Sequence, residues 1–333
     1  VGLQDGLQTA GKQSQKETAM NCLCCSGNCR KSGTYRNRNR VVQRYHCDRC
    51  GKSFSESQPL DGLRVNFDKA CRVVHLLCES TGIRAIQRLT GLHQETILNI
   101  LETAGEKAVA FLDEKIRNVN AVQVQADEVH SFVYSKQYNT PEDETERGDQ
   151  WTFLAIDRES KLIVTWLVGK HTRGNALRFM GDLKHRTANR FQLTTDDWKV
   201  YSGTDGVVSD VLADKVDYAT ERKYYARGNA RPGVFLPRRL VSVRRHRRMG
   251  DPDIKLATIC HAERTNLSVR LFNRRFTRCT LGYSKKLDNL RHAVALFVWH
   301  FNFCRVHSAH GQTPAMAAGL TDHAWTVAEL LKI

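Results

Sequence analysis

The sequence predicts a multidomain α+β chain, and three observations carry that prediction. Two C-x2-C pairs stand within the first fifty residues, apolar residues then recur at helical spacing from Asp68 to about Ile116, and beyond Asn118 the repeat changes to the period of two that marks strands. With 333 residues and 41% hydrophobic content, the chain is long enough for two or three domains with ordinary cores. No apolar run approaches the roughly 18 residues of a membrane span, and the longest, Ala293 to Trp299, reads as a core helix segment. The first twenty residues are polar, without the pattern of a signal peptide, so a cytoplasmic setting is expected. Residues 1–19, ahead of Met20, read as an extension without predicted structure.

Charge narrows the function classes. The net charge is +16, from 51 Lys and Arg against 35 Asp and Glu. Its arginine-rich clustering favours nucleic acid over a membrane surface. Much of it is local, since Glu221 to Arg248 holds ten bases and one acid. Eleven cysteines in such a chain read as thiols and metal ligands, not as a disulfide framework.

In chain order, Cys22/Cys25 and Cys47/Cys50 predict one structural Zn²⁺ in a zinc ribbon over residues 20–58. A small residue follows each pair and permits a knuckle turn, Arg36 to Arg40 predicts a basic turn, and Val41 to His46 a strand. Cys24 and Cys29 are spare, and Cys24 could replace a neighbour as ligand. Residues 64–116 predict three or four short helices. Within them, Ile83 to Leu98 has the small residue, the turn glycine Gly91 and the apolar anchors of a helix-turn-helix. In that reading Arg84 belongs to the motif, and His93, Gln94, Glu95 and Asn99 face DNA.

Residues 119–333 predict a third domain. Val122 to Asp127 alternates and ends in the acid pair Asp127-Glu128; Trp151 to Asp157 and Leu162 to Val168 form a hairpin across Arg158 to Lys161. The acidic stretch between the first two strands, Gln137 to Gln150, reads as a solvated loop. A helix from about Gly174 to His185, a strand from Phe191 to Asp197, a helical turn from Trp198 to Tyr201 and a short strand near Val216 to Ala219 complete the order of a ribonuclease H-like (integrase-core) mixed α/β sheet. The insert at 221–250 contains Pro232, Gly233 and Pro237, which favour little regular structure; a DNA-binding arm and a linker are both open.

The acids of this domain form the candidate catalytic set. Asp127 closes the first strand, Asp196 the fourth, and Glu263 lies on a later helix able to pack across the sheet. Three carboxylates gathered in this way predict a site for two Mg²⁺ or Mn²⁺ ions, which activate the attacking oxygen and stabilise the leaving one in phosphodiester transfer. Asp197 and Glu128 compete for their neighbours' roles, while Asp157 is explained by a hairpin turn. Read as one helix, Glu263, Asn266, Leu267 and Arg270 share a face that Arg274 and Arg278 extend by two turns; with Arg264 these polar residues would position phosphates.

At these residues the chain resembles the transposases of bacterial insertion elements of the insertion-sequence-one family, within the DDE superfamily. The resemblance runs from Met20 almost to the end. It rests on the Cys22/Cys25 pair, Gln43 to Cys50, the segment Arg84 to Leu101, Asp127-Glu128 before Ser131-Phe132-Val133, Thr195-Asp196-Asp197-Trp198 with Tyr201, Glu263 to Leu267 and Leu281 to Lys285. It implies Asp127, Asp196 and Glu263 as metal ligands, Asp196 being favoured over Asp197 because the family's acid directly follows the threonine and stands two before the tryptophan. It also implies binding of terminal inverted repeats and target DNA as double strands, strand cleavage and transfer, a nucleoid-associated location and a homo-oligomer. The closing segment, Phe301 to His307 with Thr313 to Ala318, looks like an ending common to integrase-core transposases and reads as structural.

Departures from the family are a single continuous reading frame, a longer basic insert, and an offset acid, Asp288, which is left unassigned. Two rival readings share much of the same sequence. A non-enzymatic DNA-binding regulator would keep the zinc ribbon and the helix-turn-helix without needing all three acids, and a metal-dependent nuclease would need every one of them.

Overall fold

The computed structural model describes residues 22, 25, 27–36, 41–55, 63, 65–203, 205–226 and 239–333. Residues 1–19, Cys24 and the proline-bearing part of the basic insert lie outside them, as do Asn37 to Arg40 of the predicted basic turn. Two compact units emerge, Val1–Asn66 and Phe67–Ile333.

In the first unit, β1 (Cys29–Arg36), β2 (Val41–Cys47) and β3 (Ser53–Ser55) form an antiparallel sheet with β2 in the middle. Cys47 opens a tight turn in which Gly51 N–H donates to Cys47 O at 2.9 Å. Gly51 has φ +71, a left-handed conformation that favours glycine.

The second unit begins with α1 (Phe67–Cys78), α2 (Ile83–Thr90) and α3 (Gln94–Lys115). Gly91, at φ +72, ends α2 and sends its N–H back to Gln87 O. At 22 residues α3 is longer than the short helices expected, and it lies along α8 (Leu287–Trp299). Their approach is close: a Cβ on Gly105 would come within 2.8 Å of His292 Cα. Buried Arg186 reinforces the junction by donating to the carbonyls of Leu112 and Ile116 and to Asp113. The sequence places a boundary near residue 118, but the helices before it belong to the same compact unit as the sheet, because apolar positions of α3 find their cover on α8.

The main sheet holds β4 (Gln123–Val133), β5 (Gly148–Asp157), β6 (Ile163–Gly169), β7 (Phe191–Thr195), β8 (Val216–Tyr225) and β9 (Leu240–Met249), in the order β6-β5-β4-β7-β8-β9. The β4/β7 and β7/β8 pairs are parallel and the others antiparallel, giving a mixed sheet. The turn from β5 to β6 is settled by Asp157, whose Oδ2 accepts from Ser160 N and Oγ at 2.8 and 2.6 Å. Helix α4 (Arg173–Arg186) connects β6 to β7, α5 (Lys199–Ser202) and α6 (Val207–Leu212) connect β7 to β8, and α7 (Cys260–Phe272) crosses β4 and β5. Short helices α9 (Pro314–Ala317) and α10 (Val327–Lys332) close the chain. Among the described residues no helix is long and apolar enough to cross a membrane.

Three expectations change here. Asp127 and Glu128 lie within a strand, not at its end, because β5 pairs with β4 as far as Val133↔Gly148. The described part of the basic insert is regular: β8 runs on to Tyr225 and β9 pairs with it, so the helix-breaking residues are confined to the stretch between them. Finally α7 stops at Phe272 and a 3-10 turn, Arg274–Phe276, redirects the chain; Asn273 caps that turn by accepting from Arg275 N–H. Arg274 and Arg278 therefore do not extend the Glu263 face.

Candidate metal centre and thiol cluster

Strand geometry opens the acidic site. β7 pairs with β4 only from Gln123 to Gln125 and stops at Thr195, while β4 runs eight residues past Gln125. Asp196 stands where β7 ends, in the gap beside the free edge of β4. Successive residues of a strand point to opposite faces, yet Asp127 and Glu128 both reach this gap. Asp127, Glu128 and Asp196 bring carboxylate oxygens within 4.8 Å of one another.

Each acid has its own support. Asn266 Nδ2 donates to Asp127 Oδ2 at 2.9 Å, and Trp198 N–H donates to Asp196 Oδ1 at 3.0 Å. Tyr201 donates its hydroxyl to Glu128 Oε1, and His171 Nε2 lies 4.0 Å from Glu128 Oε2. Burial pushes the Asp127 carboxyl up to about 7, the Glu128 backbone N–H pulls the other way, and the Asp196 and Glu263 carboxylates add to the rise. Burial and the nearby Asp196 also hold Glu128 well above its ordinary value. Asp196 is raised by burial, with the Trp198 N–H opposing. Buried acids pushed together in this way are stabilised by a cation. Oxygens on opposite sides of a Mg²⁺ stand about 4.2 Å apart, so the donor set fits a hard divalent ion with small adjustments.

Helix α7 is fixed to the sheet at its N-terminus. Buried Gln125, two residues before Asp127, accepts from His261 N–H at 2.8 Å and Ala262 N–H at 3.3 Å. Buried Glu221 accepts from Ile259 N–H at 3.4 Å and from Arg245 Nε at 3.0 Å. Negative and acceptor groups at a helix start satisfy its free N–H groups. Glu263 itself lies outside the three-acid group; its Oε2 accepts from Lys223 Nζ. Burial opposes charge on Lys223, but Glu263 and Glu221 together hold the ammonium above its ordinary value. Among the described residues the carboxylate oxygens gathered within 4.8 Å of one another are those of Asp127, Glu128 and Asp196, while Glu263 stands apart from them but close enough for Asp127 to feel its charge.

Asp197 is engaged elsewhere, at 2.6 Å from Arg248 and 3.5 Å from Arg222, and accepts from Ser202 Oγ at 3.1 Å. Asn266 is buried and donates its Nδ2 to Asp127, while its Oδ1 has no hydrogen-bond partner among the described residues. His93 caps α3, its Nδ1 accepting from Glu95 N–H at 3.4 Å, and Gln94 Nε2 donates to Gln87 Oε1 at 2.9 Å. Arg84 and Asn99 are exposed on α2 and α3, Glu95 is exposed at the start of α3, and Arg264 is exposed on α7. Arg84, Gln94 and Arg274 line one cavity of about 610 Å³, whereas Arg270 and Arg278 line another of about 980 Å³.

Sequence reasoning passed over Gln125, Glu221 and Lys223. One signal was present, a single acid among ten bases, whereas Gln125 falls on the polar phase of an alternating strand. In the N-terminal unit, Cys22 and Cys50 sulfurs lie 3.6 Å apart and those of Cys25 and Cys47 3.5 Å apart. All four fall within 4.8 Å of one another. Four thiolates at the usual Zn–S length stand about 3.8 Å apart, so the donor set fits a tetrahedral Zn²⁺. Cys29 stays outside it and donates to Gly27 O.

No family model and no curated protein matches the chain. Among solved structures it is similar to the simian T-cell lymphotropic virus intasome in complex with PP2A regulatory subunit B56 gamma, at 14% identity, 75% coverage of this chain and 74% of that chain, with a TM-score of 0.35. It is also similar to the piggyBac transposase synaptic complex with hairpin DNA, at 10% identity, 80% and 69% coverage, and a TM-score of 0.38. Both scores are too low to establish a shared fold.

Proposed function

We propose that the protein is a DNA transposase with a ribonuclease H-like catalytic domain, of the insertion-sequence-one type within the DDE superfamily. It binds the terminal inverted repeats of a mobile element, cuts the DNA at the element's ends and joins them to target DNA. The observation that carries the reading is the gathering of Asp127, Glu128 and Asp196 at the split between two parallel strands of a strongly basic chain. The strand order and the position of α7 across β4 support the same domain.

In this reading Asp127 and Asp196 would hold the two divalent ions, with Glu128 or Glu263 completing the set; when bound, the ions would supply activation of the attacking oxygen and stabilisation of the leaving one. Asn266 orients Asp127, and the Trp198 N–H orients Asp196. Arg264 and Arg270 position phosphates beside the carboxylates. The four cysteines hold a structural zinc, α2 and α3 serve as the helix-turn-helix, and the pairing of two DNA ends calls for an oligomer.

The test is cleavage and joining of labelled element-end DNA in Mg²⁺ or Mn²⁺ by wild type, Asp196→Asn and Asp197→Asn. Joined products lost with Asp196→Asn and retained, if weakened, with Asp197→Asn are expected. Nicking without joining assigns a nuclease instead. End binding without any metal-dependent product overturns the enzymatic reading in favour of a regulator.

A further inference from the structure

Past the carboxylates, β4 leads into a cleft of about 980 Å³. That volume falls at the upper end of the ~300–1,000 Å³ typical of small-molecule sites. Its walls carry Phe132, Tyr134, Tyr138 and Tyr283, and its arginines include Arg270 and Arg278. Phe132 and Tyr283 pack with ring centroids 4.7 Å apart, the Arg147 guanidinium lies 4.5 Å from the centre of the Tyr134 ring, and Tyr138 is 78% exposed. Aromatic faces among guanidinium groups suit an unstacked base and its phosphate. Phe132 lies about 17 Å along the strand from Asp127, within a few nucleotide lengths of the acids. Burial lowers the affinity of Arg270 for its proton, with Arg278 acting in the same sense and Asp127 in the opposite one, so this arginine feels both cleft and site.

Leu281 rises at the rim of this cleft with 92% of its surface exposed. Singly exposed leucines are ordinary, but this one borders two cavities at once. The second, of about 610 Å³, is lined by Arg84, Gln94, Arg274 and Lys285. Nor is its turn loose. Thr280 Oγ1 donates to Thr277 O at 3.1 Å and accepts from Gly282 N–H at 3.3 Å. A Cβ on Gly282 would come within 2.8 Å of Arg274 O, so only glycine lets the turn lie this close. The far side is tied to β4, where Tyr134 N–H donates to Ser284 O at 2.9 Å. An apolar side chain held firmly in water between two basic hollows is the arrangement by which proteins part stacked bases.

We propose that Leu281 is a wedge that enters between base pairs of bound DNA, and that the cleft walled by Phe132, Tyr134, Tyr138 and Tyr283 receives the base it displaces. The inference rests on the DNA reading above and adds a ligand to it: a single unpaired nucleotide, held a few positions from the carboxylates. Unstacking costs less at a mismatch than in a paired duplex. The protein should therefore bind a mismatched duplex more tightly.

The probe is a short fluorescein-labelled DNA duplex, either fully paired or with one central mismatch, titrated with full-length protein by anisotropy without divalent metal. Wild type is expected to favour the mismatched duplex by roughly tenfold, since the unstacking cost is already partly met there. Leu281→Ala and Tyr138→Ala, both at exposed positions that leave the core intact, should bring the ratio close to one. Equal affinity of wild type for the two duplexes overturns the wedge and leaves the transposase reading standing. So does a Leu281→Ala protein that keeps the preference. Binding to neither duplex overturns the DNA reading and the wedge with it.

Discussion

Asp127→Asn isolates the cost of holding buried carboxylates together without a cation. The Asp127 carboxyl rises from an ordinary 3.8 to about 7, chiefly through burial. A group raised in the folded state binds its proton more tightly there than in the unfolded chain. Its contribution to stability is therefore present in full below pH 3.8 and is lost as pH climbs through 7. A shift of that size corresponds to about 4 kcal/mol. Asparagine keeps the shape and the oxygen that accepts from Asn266, so its main effect is to remove the charge. In divalent-free buffer at pH 8, calorimetry should find Asp127→Asn more stable by up to about 4 kcal/mol, or roughly 10 °C in Tm for the larger unit. At pH 5 the folded carboxyl is largely protonated but the unfolded one, at 3.8, is still ionised, so the gap should fall to about 1.6 kcal/mol and close only below pH 3.8. Mg²⁺ should raise the Tm of wild type and leave the variant almost unchanged. Equal melting at pH 8, or a gap as wide at pH 5 as at pH 8, would refute the reasoning.

Three other outcomes follow from named contacts. Cys47→Ser should reduce bound zinc, measured by native mass spectrometry, from one ion per chain to none, because a four-sulfur site loses a ligand from its centre; an unchanged stoichiometry would contradict the assignment. Gly105→Ala should destabilise the larger unit by about 1–3 kcal/mol through overpacking, since the new methyl meets the backbone of His292, and denaturant titration that shows no loss would mean the α3–α8 contact is looser than described. Lys223→Ala removes the ammonium from Glu263; with an ion pair this exposed worth about 1 kcal/mol, Mg²⁺ titrated by calorimetry should bind about fivefold more tightly, and weaker binding would show that Lys223 supports the acids and does not compete with the ion.

Local signals in the sequence determine a good deal of this protein. Paired cysteines with turn residues behind them bring two sulfurs together within each pair, because a C-x2-C turn sets the ligand spacing within itself, and the β1/β2 pairing then brings the two pairs together. The change of period near Asn118 separates helices from strands, and the Asp157 turn between β5 and β6 is legible because an aspartate two or three residues from its partners makes its own hydrogen bonds. Asp127 and Asp196 could be picked out as acids at the edge of apolar runs.

What the sequence does not contain is the relation between distant residues. Only the tertiary structure decides that Asp196 meets Asp127 and Glu128 while its neighbour Asp197 turns to Arg248, since that depends on where β7 stops against β4. The pairing of β8 with β9 turns a basic stretch into a ribbon and delivers Lys223 to Glu263 across 40 residues. Likewise the end of α7 at Phe272 parts Arg274 from Arg278 and sends them to separate cavities, although helical spacing alone puts them on one face. Periodicity reports which face of an element is covered; which element covers it, and where the chain leaves it, is settled by long-range packing.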